Sequence, residues 1–193
     1  TIRGNEDKMI AREETMESTI MQDEMYKVMP VLDPDGSDSA RLDNCLEFLV
    51  LNGIPLPMAV MITIPEPWEN DRAMSQEKKD FYQYYATMME PWDGPASILF
   101  TDGELMGAVL DRNGLRPSRY YITDDDYLVL SSEVGVLDVD PSKIVKKDRL
   151  RPGKMLLVDT VNGRLISDEE IKEKYALAKP YGEWVDSNLV HLA

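Results

Sequence analysis

The sequence predicts an α+β fold in which helices come first and antiparallel strands follow. Apolar residues recur at helical spacing through the first 90 residues. From Pro95 onward the apolar runs are short and are separated by Asp-Gly, Pro-Gly and Asn-Gly pairs, which favour tight turns between strands. Helices segregated from an antiparallel sheet are typical of the α+β class. The chain contains no internal repeat and no low-complexity segment.

Four segments of the first half are predicted to be helical. The first begins at Asn5 or Asp7, either of which can cap a helix, and runs to Ser18. The others lie at residues 22–28, between the turn at 36–39 and residue 52, and from Ser75 to Glu90. Residues 55–63 are apolar and fit a helix or a strand. The predicted buried faces are Leu42, Cys45, Leu46, Leu49 and Val50 in the third helix, and Phe81, Tyr84, Tyr85, Met88 and Met89 in the fourth.

The second half predicts an antiparallel meander followed by helices. Asp102-Gly103 suits a hairpin because glycine adopts positive φ at low cost. Ser167 with Glu170 forms a capping box that opens a helix to about Ala178, and a further helical segment follows Pro180 to Leu192. The predicted strands are Ser97–Thr101, Leu105–Leu110, Arg119–Ile122, Tyr127–Ser131, Ile144–Arg149 and Lys154–Asp159.

Charge and cysteine content argue against several classes of function. The 36 acidic and 21 basic residues give a net charge of -15, which repels nucleic acid and anionic membrane surfaces. No apolar run approaches the roughly 20 residues that span a bilayer, and the start of the chain lacks a signal-peptide pattern, so we expect a cytoplasmic protein. A single cysteine and a single histidine, His191, predict no disulfide, iron–sulfur cluster or zinc site.

Two residues are candidate nucleophiles. Cys45 lies on the apolar stripe of its predicted helix, and free cysteines there usually pack in the core. Thr1 is the stronger candidate, because an N-terminal threonine can attack with its own α-amine as the base. The alternative is that Thr1 is simply the first residue of a fragment.

Two turn-rich motifs are candidate binding or structural elements. In Gly36-Ser37-Asp38-Ser39 a carboxylate lies at a helix start, where a capping role is favoured, although a carboxylate there can also hold the ammonium group of an amino acid. The segment from Asp111 to Pro117 packs charged and turn-forming residues between two strands. Its Asn113-Gly114 pair predicts a turn with positive φ, hence a specified loop of undefined function.

Several longer motifs closely resemble the glutamate synthases, a family of class II glutamine amidotransferases. The resemblance covers nearly the whole chain. It is strongest in Glu90–Ala96, Thr101–Gly103, Gly107–Pro117, Arg119–Tyr121 and Ser132–Asp138, and it extends to Gly36–Ser39, Pro65–Trp68 and Leu150–Met155.

This resemblance implies an N-terminal-nucleophile fold, an αββα sandwich that hydrolyses glutamine to glutamate and ammonia. In such enzymes an N-terminal cysteine attacks the amide and an Asn-Gly pair supplies the oxyanion hole. The ammonia then serves glutamate formation from 2-oxoglutarate, with FMN, an iron–sulfur cluster and reduced nicotinamide or ferredoxin as the electron donor. We expect none of these cofactors in this chain.

The start of the chain departs from the family pattern. Residues 1–5 resemble the continuation of the segment that begins with the oxyanion-hole pair, so Thr1 falls at an interior position. We therefore expect residues 1–193 to be the C-terminal part of the glutaminase domain, without the nucleophile and inactive alone. Its expected partners are the missing N-terminal half and the synthase domains. An exposed sheet face should then cause self-association.

By the resemblance, Asp38 binds the α-amino group of glutamine, and Gly36 and Ser37 shape that pocket. The Asp111–Pro117 loop is expected to be structural, positioning the sheet near the site. Two alternatives stay open: another class II amidotransferase, which the Glu90–Ala96 run disfavours, and a non-catalytic remnant that binds glutamine or a partner.

Overall fold

The computed structural model describes residues 2–4, 13 and 15–190. The chain forms two compact units, one of residues 1–94 and 169–193 and the other of residues 95–168. Thr1, His191 and the predicted caps Asn5 and Asp7 lie outside the described residues. The observed helices and antiparallel sheets confirm the predicted α+β class, and they are consistent with the N-terminal-nucleophile fold that the sequence resemblance implies.

The first unit is helical. A 3₁₀ helix at Gln22–Lys27 precedes α1 (Asp38–Leu51), α2 (Leu56–Thr63) and α3 (Gln76–Ala86). After the strands come α4 (Asp168–Ala176), which begins at the boundary between the units, and α5 (Tyr181–Asn188).

Helix α1 buries the predicted apolar stripe except at its end. Leu42, Cys45, Leu46 and Leu49 are buried, whereas Val50 is exposed, so the prediction for Val50 was wrong. Val50 lies in the last turn of α1 at the edge of the stripe, and the chain turns away at Gly53, where φ is +82°.

The ambiguous apolar stretch forms helix α2, in which every residue from Pro57 to Thr63 is buried. The hydroxyl of Thr63 donates to the carbonyl of Ala59 at 2.9 Å, which satisfies this polar group inside an apolar helix. Burial on all sides explains why periodicity did not distinguish a helix from a strand.

Helix α3 is shorter than predicted: it ends at Ala86, whereas the prediction extended it to Glu90. The Thr87 hydroxyl donates to the carbonyl of Tyr84 at 2.6 Å and satisfies one of the terminal carbonyls. Met88 is consequently exposed, contrary to prediction, and Tyr82 is buried although the pattern did not indicate it.

Aromatic side chains join α3 to α5. Phe81 and Tyr181 meet edge to face with ring centroids 5.3 Å apart, and Tyr84 lies at the same distance from Trp184. Edge-to-face aromatic pairs stabilise a core beyond the apolar area that they bury. The helix after Pro180 therefore docks on the predicted apolar face of α3.

The second unit contains two antiparallel sheets. The four-stranded sheet has the order β1-β2-β6-β7 and the three-stranded sheet the order β4-β3-β5. Strand β7 was not predicted, because three residues are too few to display a two-residue period. The strands are β1 (Ser97–Thr101), β2 (Leu105–Leu110), β3 (Arg119–Thr123), β4 (Leu128–Ser131), β5 (Ile144–Arg149), β6 (Met155–Asp159) and β7 (Arg164–Ile166).

The core of this unit contains side chains from both sheets. Ala108, Leu110 and Leu156 of the four-stranded sheet cluster with Tyr120 of the three-stranded sheet and with Leu150. Ile122, Leu128 and Leu130 pack against the cluster. Alternation along each strand places the neighbouring residues on the opposite sheet faces.

Candidate functional site

The turn before α1 is held by side chains of the helix that it precedes. Arg41 donates through Nε to the carbonyl of Asp33 at 3.0 Å and through Nη2 to that of Pro34 at 2.6 Å. The Asn44 amide oxygen accepts from the Asp33 backbone N–H at 3.1 Å. The turn is thereby fixed relative to the first two turns of α1.

Ser37 is the residue that caps α1. Its backbone is extended, with φ -70° and ψ 163°, and its hydroxyl accepts from the Ala40 N–H at 3.3 Å. This is the usual geometry of a serine cap, which satisfies one of the otherwise unpaired N–H groups of the first turn. Asp38 is consequently the first residue of the helix and does not serve as its cap.

The Asp38 carboxylate remains partly open. Its side chain is 21 % exposed, and its Oδ2 lies 3.7 Å from Nε of Arg3, whose side chain is 78 % exposed. Asp38 also lies in the first turn of α1, at the positive end of the helix dipole, where a negative charge is stabilising. Its contact with the described residues leaves most of its hydrogen-bonding capacity for a ligand.

The backbone of Arg3 is held by an isolated antiparallel bridge to Asp93, and its side chain approaches Asp38. The N–H of Arg3 donates to the Asp93 carbonyl at 2.6 Å, and the Asp93 N–H donates back at 2.8 Å. Sequence reasoning missed Arg3, since no periodicity links residues so far apart in the chain.

Gly36 lies close to its neighbours. A Cβ added there would be 3.2 Å from the Asp33 carbonyl oxygen and 3.4 Å from the Ala40 Cβ. A side chain at this position would require the Asp33 carbonyl to move by a few tenths of an ångström. Gly36 therefore keeps the turn compact beside Ser37 and Asp38.

Cys45 is buried, as its apolar stripe predicted. Its Sγ lies 3.6 Å from Sδ of Met89, beside a cavity of about 480 Å³. Burial raises the pKa of the Cys45 thiol to about 12. The thiolate, which is the nucleophilic form, is therefore scarce at neutral pH, in contrast to the low pKa of an activated catalytic cysteine.

The loop that begins at Asp111 is organised around that carboxylate. Oδ1 accepts from Ala96 N–H at 3.0 Å, and Oδ2 accepts from Asn113 N–H and Gly114 N–H at 3.0 and 3.1 Å. Gly114 has a φ of +58°, which confirms the predicted turn, and a Cβ there would lie 2.5 Å from Pro152 Cγ. These contacts support the expected structural role of the loop.

Residues 2–4, 13 and 15–190 contain neither a candidate metal site nor a helix that could span a membrane. No group of three His, Cys, Asp or Glu side chains there could hold a metal ion. No helix in that part of the chain is long and apolar enough to cross a membrane.

Comparison with known proteins identifies the family. Residues 1–184 match the family of glutamine amidotransferases class-II. The chain is 50 % identical over 192 residues to the glutamate synthase [NADPH] large chain of Bacillus subtilis, covering 100 % of this chain and 13 % of that protein. It is 48 % identical over 193 residues to glutamate synthase [NADH] of Schizosaccharomyces pombe, covering 100 % and 9 %.

A third relative is the chloroplastic ferredoxin-dependent glutamate synthase of Oryza sativa, 45 % identical over 191 residues, with 97 % of this chain and 12 % of that protein covered. The chain thus spans about a tenth of the length of the curated relatives it matches. These matches confirm the resemblance to glutamate synthases that the motifs indicated. The chain belongs to the class-II glutamine amidotransferases.

Proposed function

We propose that this chain forms part of the glutaminase domain of a glutamate synthase and that Asp38 binds the α-ammonium group of glutamine. The observation that supports this most is the open carboxylate of Asp38 at the start of α1, beside a turn fixed by Arg41 and Asn44. The identity of 50 % and 48 % to two glutamate synthases, which extends over the whole of this chain, supports the reaction class.

The geometry suits an ammonium ligand. An ionised carboxylate only accepts hydrogen bonds and an ammonium only donates them, so the two form strong charge-assisted bonds. Asp38 uses one oxygen in a long contact with Arg3. Gly36 and Ser37 would place the ligand by keeping the turn compact and by fixing the first residue of α1.

Attack on the glutamine amide requires groups that we assign to another part of the enzyme. Burial raises the pKa of the Cys45 thiol to about 12, so Cys45 is unsuited to nucleophilic attack at neutral pH. We propose that residues 1–193 are the C-terminal part of the domain and that the nucleophile and the oxyanion hole lie in the N-terminal part. This chain should then release no ammonia by itself.

The four-stranded sheet of the second unit has an exposed apolar strip, which is evidence for a further segment that packs against it. Leu99, Met106 and Leu165 share a face with the core residue Ala108, because Leu99 pairs with Ala108, and Met106 and Leu165 both pair with Val158. Leu99 and Met106 are nevertheless 64 % and 56 % exposed. We propose that the remainder of the glutaminase domain covers this strip.

The ammonia would serve glutamate formation from 2-oxoglutarate at a synthase site on other domains. FMN and the electron donor are assigned to those domains. The described residues offer no ligand set for an iron–sulfur cluster, since such clusters are held by several thiolates and the single cysteine is buried.

A segment exchange tests the proposal. The 192 matching residues of the Bacillus subtilis large chain would be replaced by this chain, and NADPH oxidation would be measured with glutamine and 2-oxoglutarate. We expect activity in the chimera, and in its Asp38→Asn variant a KM for glutamine raised about a hundredfold, as for the loss of one partner of a desolvated charge pair.

Direct supply of ammonia is the control, because it bypasses the glutamine step and should be unaffected by Asp38→Asn. A soluble chimera that uses ammonia but not glutamine would contradict the proposed function. If the isolated chain binds glutamine and the chimera does not hydrolyse it, the non-catalytic alternative is correct.

A further inference from the structure

A cavity in the second unit lies on the face of the three-stranded sheet that points away from its core. It has a volume of about 470 Å³ and lies between strands β3 and β5 and the segment 133–141. Tyr120 packs in the core, so Arg119 and Tyr121, its neighbours in β3, point to the opposite face. The proposed glutamine site lies in the other unit.

Three cationic side chains share that face. Arg119 pairs directly with Arg149, and Tyr121 pairs with Lys147, so all four side chains project in one direction. Like charges directly opposite one another destabilise a sheet unless an anion lies between them. Such a cluster is unexpected in a chain whose net charge is -15.

The described residues do not neutralise these cations. Arg119, Lys147 and Arg149 form no ion pair with any residue that the structure describes, although Glu133 and Asp148 also line the cavity. Asp148 alternates with Arg149 along β5, and its Oδ1 accepts from the Arg149 backbone N–H at 2.8 Å.

A buried hydroxyl and an apolar wall complete the cavity. The phenolic oxygen of Tyr121 is inaccessible to solvent and has no hydrogen-bond partner among the described residues. Buried polar groups are nearly always bonded, so an unbonded one indicates a missing partner. Val134, Leu137 and Ile144 line the cavity and offer contacts for a carbon chain.

We propose that this cavity binds a small dicarboxylate. Each of the two arginines would donate two hydrogen bonds to one carboxylate group in the forked geometry that guanidinium groups favour, and Lys147 would add positive charge. The volume lies within the range of metabolite sites and leaves room for a carbon chain against the apolar wall. A dicarboxylate site in this unit would let metabolite levels act on the domain without competing with glutamine at Asp38.

Calorimetric titration of the 193-residue chain at low salt tests the proposal. The probes are glutarate, butyrate with one carboxylate fewer, and inorganic phosphate. We expect saturable binding of glutarate, tighter than that of either comparison ligand. The affinity should fall about tenfold in Arg149→Gln and in Arg119→Gln, as for the loss of a charge-assisted pair.

Two further variants separate specific binding from general attraction. Tyr121→Phe removes a hydroxyl that has no hydrogen-bond partner among the described residues, so it should leave folding intact and weaken glutarate binding about fivefold. Lys146→Gln is the matched control, because Lys146 lies in β5 with Lys147 and Arg149 but on the opposite sheet face, beside Tyr120. This variant should leave glutarate binding unchanged. Absence of glutarate binding, equal binding of phosphate or butyrate, or equal weakening by Lys146→Gln would overturn the proposal.

Discussion

Two aspartates in turn-rich motifs have opposite environments. Asp111 in the second unit is 2 % exposed, and its two oxygens accept three backbone N–H groups. Asp38 in the first unit is partly exposed, and its contact with the described residues is a 3.7 Å approach to Arg3. One carboxylate is saturated by its own loop and the other retains capacity for a partner.

The difference separates a structural carboxylate from a binding one. A carboxylate whose acceptor sites are filled by backbone groups holds a loop in place and has little left for a ligand. A carboxylate fixed in position but left open can bind a cation without first losing existing bonds. Exposure and bonding, not sequence motif, distinguish the two roles here.

The largest effect on stability is expected at Asp111. Asp111→Ala would leave the buried N–H of Ala96 and the loop N–H groups without their acceptor, which should cost about 4 kcal/mol of the free energy of unfolding. Asp38→Ala should cost less than about 1 kcal/mol, the value of a charge at a helix start. Urea unfolding of both variants measures the difference, and equal losses would refute the contrast.

Glu66 is an intermediate case, because it is buried but bonded by side chains. Its Oε1 lies 3.1 Å from Lys172 Nζ and accepts from the Tyr82 hydroxyl at 3.0 Å. Glu66→Gln should lower the free energy of unfolding by about 3 kcal/mol, because it removes the negative partner of a buried ion pair. Adding Lys172→Met should restore part of that loss, and a double-mutant cycle by urea unfolding checks it.

Cys45 extends the comparison to a buried ionisable group in an apolar site. Folding raises its pKa from the ordinary 9.0 to about 12, so the folded chain holds the thiol proton more tightly than the unfolded chain. The resulting stability is complete below pH 9 and is lost as the pH rises from 9 towards 12. Cys45→Ala should be less stable at neutral pH but show a shallower decline in thermal unfolding above pH 9. Parallel declines would contradict the pKa shift.

Ser37→Ala should have a small effect on both stability and the glutamine KM, and it separates the role of the helix cap from that of the carboxylate. Loss of the bond from Ala40 N–H should cost about 1 kcal/mol of stability and leave the charge of Asp38 in place. The glutamine KM of the chimeric enzyme should then change less than threefold. A KM increase as large as that of Asp38→Asn would mean that Ser37 contacts the substrate directly.

The sequence predicted those parts of the fold that depend on local period. The stripe of α1, apart from Val50, and strands β1 to β6 of the second unit follow from spacing, as does the turn at Gly114. The hydroxyl of the buried Tyr82 donates to Glu66, which precedes α3 in the chain, and no local pattern reveals this pairing. Asp38 was proposed through family resemblance, whereas the approach of Arg3 required the structure.

The most direct test of the central claim compares glutamine with its analogue lacking the α-amino group, 4-carbamoylbutyrate, in the Bacillus subtilis chimera. If Asp38 binds the α-ammonium, the unmodified chimera should prefer glutamine by about a hundredfold in kcat/KM, and Asp38→Asn should remove most of that preference. A variant that discriminates between the two substrates as strongly as the parent would show that Asp38 does not bind the ammonium group.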